Sequence, residues 1–424
     1  MAQNTVVPPG LRIRHDIVDV QGENLDKLIY AWITIQNNPP DQDTKPDNPD
    51  TVSFFNIAGF HGEPFRGAGY GNPSWWGGYC NHGNVLFPTW HRAHLLCLEN
   101  ALRSVKNCED VTLPYWNEVK PRDKRRPIPE IFLQKTYEWK TKWNGHIPGT
   151  KVRNPLYSYT FQRAVIDRLN PIPDADYSKP VDYETVRYPF SGLVGKTDVA
   201  TTMAHNGLIS MLGEQKINQL LQENVSSWLF GDAINHQGET VGGHTYDKYI
   251  RSLSAPNYTV YSNTTSAQRW NDDRFKGTEI ANLTKADDPN AVTPIENPHN
   301  AIHLAIGGFD IPGIADYSHI PDANGDMGEN DTAAFDPIFF FHHCFIDLMF
   351  WAWQVHNGSE NKLEIYSQYP GTNSVDNQGA TPGIPGNTWL DVHTRLNPFP
   401  HTSSVSDPLF VSISFYVCKR CASV

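Results

Sequence analysis

The sequence contains fewer basic than acidic residues. Its 424 residues include 34 Lys and Arg against 46 Asp and Glu, a formal net charge of -12, and no block of basic residues appears. Proteins that bind nucleic acids need a basic surface against the phosphate backbone. We therefore exclude nucleic acid as a partner, whereas the acidic excess favours solubility and says little about the fold.

A cysteine framework, a leader segment and an uninterrupted apolar run are missing as well. The six cysteines are scattered, without the density of a small disulfide-stapled protein. The first ten residues contain no charged segment followed by an apolar one, so we expect a cytoplasmic or otherwise intracellular protein. The longest apolar run, residues 338–353, is interrupted by His342, His343 and Asp347, which predicts a buried helix and no membrane span.

Helical spacing of apolar residues is the main secondary-structure signal. It predicts four helices, over residues 23–36, 88–105, 297–306 and 338–356. Residues 120–290 are rich in Pro, Asn, Tyr and Thr and carry shorter helical patterns, such as 200–211 and 215–222, so we interpret them as long insertions. The predicted fold class is mainly α: a helical bundle that holds the site, with long irregular connections and little β structure.

Several of the 17 histidines are grouped. His299 and His303 stand four residues apart, so on a helix both imidazoles project from one face and can share a metal ion. Zinc proteases use this spacing with a general-base Glu after the first His, but Asn300 stands there, which argues against a hydrolytic zinc site. His342 and His343 follow in a strongly apolar helix where an uncommitted imidazole is costly to bury, so we expect one of them to complete a triad.

A second group of histidines lies upstream. His61 follows a short apolar helix predicted over residues 54–60, and His82 and His91 are nine residues apart. Any one of them alone would more often be a hydrogen-bonded core histidine, but two groups of three together predict two bound metal ions. All-imidazole triads suit copper, zinc, iron or nickel, so the ligand type does not choose the metal.

Six short motifs surround these histidines in a fixed order. They are Phe60-His61-Gly62, Cys80-Asn81-His82, Phe87-Pro88-Thr89-Trp90-His91-Arg92, Leu113-Pro114-Tyr115-Trp116, His299-Asn300 with His303, and Asp336-Pro337-Ile338-Phe339 through Asp347. Together they resemble the fungal-type members of the tyrosinase, catechol oxidase and mollusc-type haemocyanin family of coupled dicopper proteins. The resemblance covers roughly residues 10–400. It implies a catalytic domain over residues 1–400 and a tail over 401–424, with no shielding lid domain evident.

The resemblance also implies a set of copper ligands. Each of two copper ions would have three histidines: His61, His82 and His91 for the first, and His299, His303 and His343 for the second. His343 is chosen because the family's ligand lies four residues before an Asp that anchors its helix, here Asp347. His342 is then a neighbour of the site, and His94 is expected to be structural.

Further roles follow from the same resemblance. Cys80 occupies the place of a cysteine joined by a thioether to the ring of His82; the alternative is a free buried thiol. Phe339 resembles the aromatic residue that roofs the second copper. Glu296 and Asn300 stand where hydroxylating members orient a water beside the coppers, although they could instead cap the start of their helix.

The implied activity is that of a phenol oxidase with O2 as co-substrate and small phenols as substrates. Such an enzyme hydroxylates monophenols at the ortho position and oxidises o-diphenols to o-quinones. A catechol or o-aminophenol oxidase without hydroxylation, a haemocyanin-like oxygen carrier and a zinc-binding structural protein remain alternatives, and homo-oligomerisation stays open.

The sequence departs from the family at a few places. Members usually carry Asp at the position of Asn117 and His or a similar residue at Asp326, but neither is a ligand position. Residues 415–417 resemble only loosely the tyrosine motif that closes the catalytic domain. Cys418 and Cys421 match a copper-delivery pair of some fungal members, and an incidental tail explains them equally well.

Overall fold

A computed structural model describes most of the chain. The described residues are 12–41, 48, 50–62, 78–165, 178–195, 198–276, 290–311 and 315–399. The sequence features noted at residues 415–421 lie outside this part.

Helices make up most of the regular structure of the described ranges. They are α1 (Gly22–Asn37), α2 (Phe54–Gly59), α3 (Phe87–Ser104), α4 (Val199–Ser210), α5 (Glu214–Phe230), α6 (Thr245–Ser252), α7 (Tyr258–Ser262), α8 (Thr264–Phe275), α9 (Glu296–Gly307) and α10 (Ile338–His356). Short strands form antiparallel pairs: β1 (Thr136–Glu138) with β2 (Lys151–Arg153), β3 (Asp232–Ile234) with β4 (Thr240–Gly243), and β5 (Asp310–Ile311) with β6 (Ala315–Asp316). The predicted fold class, mainly α with little β, is confirmed.

The four main predicted helices correspond to α1, α3, α9 and α10, each within one residue of the predicted bounds. Helix α10 packs against α3, and α1 and α2 pack against α3 as well. Aromatic rings fill the space between them, since Trp32 of α1 stacks on Phe341 of α10 at 5.8 Å between ring centroids. This packing places α3 and α10, two of the histidine-bearing helices, side by side.

Residues 120–290 contain more helix than the sequence suggested. Helix α5 runs to Phe230, beyond the predicted end of its pattern at residue 222. Its later buried residues, Val225, Trp228 and Leu229, continue the helical spacing, but polar residues between them weaken the periodic signal. Helix α5 packs against α9, the helix that carries His299 and His303.

Helix α10 lies in the core. By length and composition it could cross a membrane, but 83% of its most apolar window is buried inside the protein. Buried ion pairs anchor it: Arg187 donates to both oxygens of Asp336 at 2.6 and 2.7 Å just before the helix begins, and Asp347 within it accepts from Arg14 at 3.1 Å and from Arg92. These contacts fix the position of the helix along its axis.

Candidate metal centre

The six predicted histidines form one cluster. They are His91 on α3, His299 and His303 on α9, His343 on α10, His61 after α2, and His82 in the connection before α3. The rings of His91 and His343 stack at 4.5 Å between centroids. The two predicted groups of three are therefore directly adjacent.

The second group converges on one point. Nε2 of His343 lies 3.1 Å from Nε2 of His299 and 3.3 Å from Nε2 of His303. Ligand atoms about 2.0–2.1 Å from a tetrahedral ion stand roughly 3.3–3.4 Å from one another, so these separations fit three ligands of one ion. Nδ1 of His303 donates to the Met327 carbonyl at 2.8 Å and Nδ1 of His299 lies 2.8 Å from Asn300 Oδ1, which leaves the Nε2 lone pairs for a metal.

In the first group, backbone carbonyls again hold Nδ1 of two rings. Nδ1 of His61 donates to the Asn330 carbonyl at 2.9 Å, and Nδ1 of His91 donates to the Phe87 carbonyl at 2.8 Å. Among the described residues, Nε2 of both rings is buried without a hydrogen-bond partner. The ring of His82 completes the group, with its centroid 5.4 Å from that of His61 and 5.1 Å from that of His91.

The surroundings of these histidines favour the uncharged form of the imidazole. Burial, followed by the mutual repulsion of neighbouring rings, lowers the pKa of His61, His91, His299 and His343 well below 6.5. Neutral imidazoles with buried, unpartnered lone pairs are costly unless a metal ion binds them. The donor set therefore fits two ions with nitrogen ligands.

Comparison with known proteins identifies the family. The profile described as the common central domain of tyrosinase matches residues 51–356. The chain belongs to the tyrosinase family. It is 51% identical to a tyrosinase of Aspergillus oryzae over 391 residues and 45% identical to tyrosinase HcTyr2 of a Hahella species over 410 residues. These alignments cover 91% and 92% of this chain and 68% of each relative.

A comparison with solved structures also identifies the tyrosinase family. A tyrosinase from Burkholderia thailandensis superposes with a TM-score of 0.75 at 42% identity, covering 94% of this chain and 72% of that one. The family expectation is thereby confirmed, and the protein is a copper oxidoreductase that oxidises small phenols with O2 and binds two copper ions.

The loop that carries His82 is held by side chains from two distant parts of the chain. The backbone N–H of His82 donates to Gln378 Oε1 at 2.7 Å, and that of Gly83 donates to Glu296 Oε1 at 2.6 Å. A side chain at Gly83 would collide with Asn377, whose Cβ lies 2.6 Å from an ideal Cβ position, and its φ of +65° also favours glycine. The sequence did not reveal Gln378, because its partner lies 296 residues away.

Cys80 lies beside the ring of His82. Its Sγ is 3.4 Å from His82 Nδ1, and Asn330 Nδ2 donates to the same sulfur at 3.7 Å. Burial raises the pKa of the Cys80 thiol to about 12, so the sulfur is protonated until it reacts. The structure thus brings together the two side chains of the predicted thioether.

Phe339 lies between the two groups of histidines. Its ring centroid is 4.0 Å from that of His343, 4.8 Å from that of His61 and 5.7 Å from that of His303, and its side chain is buried. This is the place expected of an aromatic residue that covers the second copper site.

Glu296 and Asn300 stand one helical turn apart on α9, three residues before and one residue after His299. Asn300 is exposed, whereas Glu296 is buried, and burial raises the pKa of its carboxyl. Besides Gly83, Glu296 accepts from the N–H and the hydroxyl of Thr264 at 2.8 and 3.0 Å. The carboxylate therefore ties α9 to two other segments, which differs from the helix-capping alternative.

The sequence analysis did not predict a role for Glu118. This fully buried carboxylate accepts from His342 Nδ1 at 2.6 Å and from the Tyr249 hydroxyl. The His342 ring in turn stacks on His299 at 5.2 Å between centroids. Nδ1 of His342 is thus committed to a carboxylate, a contact typical of the surroundings of metal ligands, while its Nε2 is buried beside the second group without a hydrogen-bond partner among the described residues.

Two other positions have structural contacts. His94 Nε2 donates to the Ile57 carbonyl at 2.6 Å, so that nitrogen is committed to the backbone. Asp326 accepts from the Tyr183 hydroxyl and the Val186 N–H at 2.7 and 2.8 Å.

Proposed function

We propose that the protein is a true tyrosinase, which hydroxylates monophenols at the ortho position and oxidises o-diphenols to o-quinones. The observation that carries the proposal is the convergence of two adjacent sets of three imidazoles: His61, His82 and His91 for the first copper, and His299, His303 and His343 for the second. When bound, the two coppers supply the activation of O2 that both reactions need. The two relatives named tyrosinase, at 51% and 45% identity, support hydroxylation as well as oxidation.

A phenol would approach from the side on which the centre is open. His82 and His303 are partly exposed and Asn300 is exposed, whereas the other proposed ligands and Phe339 are buried. The buried ring of Phe339 would help to exclude water from the site, and a dry site strengthens every electrostatic interaction within it. The partly exposed ligands leave room for the phenol oxygen.

Glu296 and Asn300 are proposed to take the phenol's proton through a water held between them. A carboxylate oxygen has two lone pairs, and Oε1 of Glu296 accepts one described hydrogen bond, from Gly83. Its second lone pair is available to a water. A catechol is more acidic and chelates the metals, so it depends less on a general base.

This role is tested with Glu296→Gln and Asn300→Gly. We expect each substitution to lower monophenol hydroxylation by about 100-fold or more, the usual scale for loss of a general base, and to lower o-diphenol oxidation much less. The measurement is the initial rate of O2 uptake with a monophenol and with its own o-diphenol, at equal copper content.

Gln378→Ala is the matched control. It removes the other side-chain acceptor of the His82 loop without touching a carboxylate, so both activities should fall by the same factor. An equal loss on both substrates in Glu296→Gln would mean that Glu296 only anchors the loop. Wild-type O2 uptake with the o-diphenol alone would indicate a catechol or o-aminophenol oxidase, and reversible O2 binding without turnover an oxygen carrier.

A further inference from the structure

A second cluster of metal-binding side chains lies outside the copper centre. His236 stands in the turn between β3 and β4, and Asp310 and Asp316 face each other as Cα partners across β5 and β6. Nδ1 of His236 lies 3.0 Å from an oxygen of Asp316 and 3.7 Å from an oxygen of Asp310. One nitrogen and two carboxylates thus face the same point.

Among the described residues, the two carboxylates have few hydrogen-bond donors. Like charges directly opposite each other in a strand pair are destabilising. The side chains of Asp310 and Asp316 are only 10% and 16% exposed. Among the described residues, neither buried oxygen of Asp316 has a hydrogen-bond donor in good geometry, while Asp310 accepts from the N–H of Asp322 at 2.7 Å. Burial, and to a lesser extent the Asp316 carboxylate, raises the pKa of Asp310.

We propose that His236, Asp310 and Asp316 bind one divalent transition-metal ion, such as Zn²⁺, at a site separate from the two coppers. Zinc bonds to nitrogen and oxygen ligands are about 2.0–2.2 Å long, so tetrahedral ligand atoms stand roughly 3.4 Å apart. The separations of 3.0 and 3.7 Å lie on either side of that value. With neutral His236 the site carries two negative charges, which match a divalent cation, and its partial exposure leaves a position for water.

The chain contains a matched contrast. His244 also lies near two aspartates, but its Nε2 faces Asp232 at 3.3 Å and its Nδ1 faces Asp247 at 3.9 Å. These carboxylates lie beside different ring nitrogens, and all three side chains are more than half exposed. One ion cannot bind all three groups there, so residue types alone do not make a site. The convergence on a single nitrogen distinguishes the His236 cluster.

An ion at this site would stabilise the segment that follows the second group of copper ligands. The β5–β6 pair follows α9, which carries His299 and His303, and precedes Met327, whose carbonyl accepts from His303. The ion would join this segment to the β3–β4 turn. An ion that binds only the folded protein stabilises it by mass action.

The test uses the copper-loaded protein dialysed against Zn²⁺. We expect one zinc per chain in addition to the coppers, and a rise in Tm of roughly 2 °C or more at about 100 times the Kd. His236→Gln and Asp316→Asn should each weaken zinc binding by at least about 100-fold, while His244→Gln should bind zinc like the wild type.

Copper content and o-diphenol oxidation confirm that each variant is folded. The proposal is overturned if the copper-loaded wild type retains no zinc after dialysis. It is equally overturned if folded His236→Gln and Asp316→Asn retain zinc as the wild type does, because the ion would then be bound elsewhere.

Discussion

For several histidines of the copper centre, a single hydrogen bond at Nδ1 decides which ring nitrogen is left for a metal. Nδ1 of His61 and of His303 donates to the backbone carbonyls of Asn330 and Met327. A carbonyl accepts only, so the proton is fixed at Nδ1 and the lone pair at Nε2. Because backbone positions are set by the fold, the orientation of these rings is determined before copper binds.

Cys80 provides a prediction at the same scale. Its sulfur lies 3.4 Å from the His82 ring, so we expect copper and O2 to drive loss of the thiol hydrogen and one ring hydrogen as a sulfur–carbon bond forms. After copper loading, the intact mass should be lower than the sequence mass by two hydrogens. Mass spectrometry checks this, and Cys80→Ser should show no loss. An unmodified Cys80 peptide from fully active enzyme would refute the thioether.

At the scale of elements, buried ion pairs hold α10 and therefore His343. Arg187 and Asp336 are nearly inaccessible, with side-chain exposures of 8% and 1%. Asp336→Asn would leave the guanidinium buried without its counter-charge, so we expect it to lower the free energy of unfolding by about 3–5 kcal/mol. Urea denaturation of wild type and variant measures the difference.

An exposed pair serves as the control. Arg126 and Glu130 form an ion pair with side chains 65% and 55% exposed, where solvent screens the interaction. Glu130→Gln should change the free energy of unfolding by less than about 1 kcal/mol. If Asp336→Asn had an equally small effect, the buried pair would not be what holds α10.

The sequence predicts some elements of this structure far better than others. Helices α1, α3, α9 and α10 were predicted within one residue because their apolar spacing is local. The local sequence pattern could not predict Glu118 and Gln378. Their hydrogen-bond partners, His342 and His82, lie 224 and 296 residues away in the chain. Nothing in an irregular segment distinguishes a buried Glu or Gln from an exposed one, so only the packed chain reveals them.

At the scale of the whole molecule, residues outside the family's central domain complete the copper centre. The family profile ends at residue 356, yet Gln378 holds the His82 loop and the Asn397 carbonyl accepts from Trp90 Nε1 at 2.7 Å. At the other end, Arg14 pairs with Asp347 on α10. The histidines therefore depend on a framework longer than the segment that carries them.

Copper quantitation of wild type and His303→Ala, combined with O2 uptake, tests the central claim most directly. We expect about two coppers per chain in the wild type, and about one in His303→Ala with loss of both phenol-oxidising activities, because two imidazoles do not complete the second site. His94→Gln is the matched control and should keep both coppers, since His94 Nε2 is committed to the Ile57 carbonyl. Two coppers and wild-type turnover in His303→Ala would contradict the assignment of the ligands.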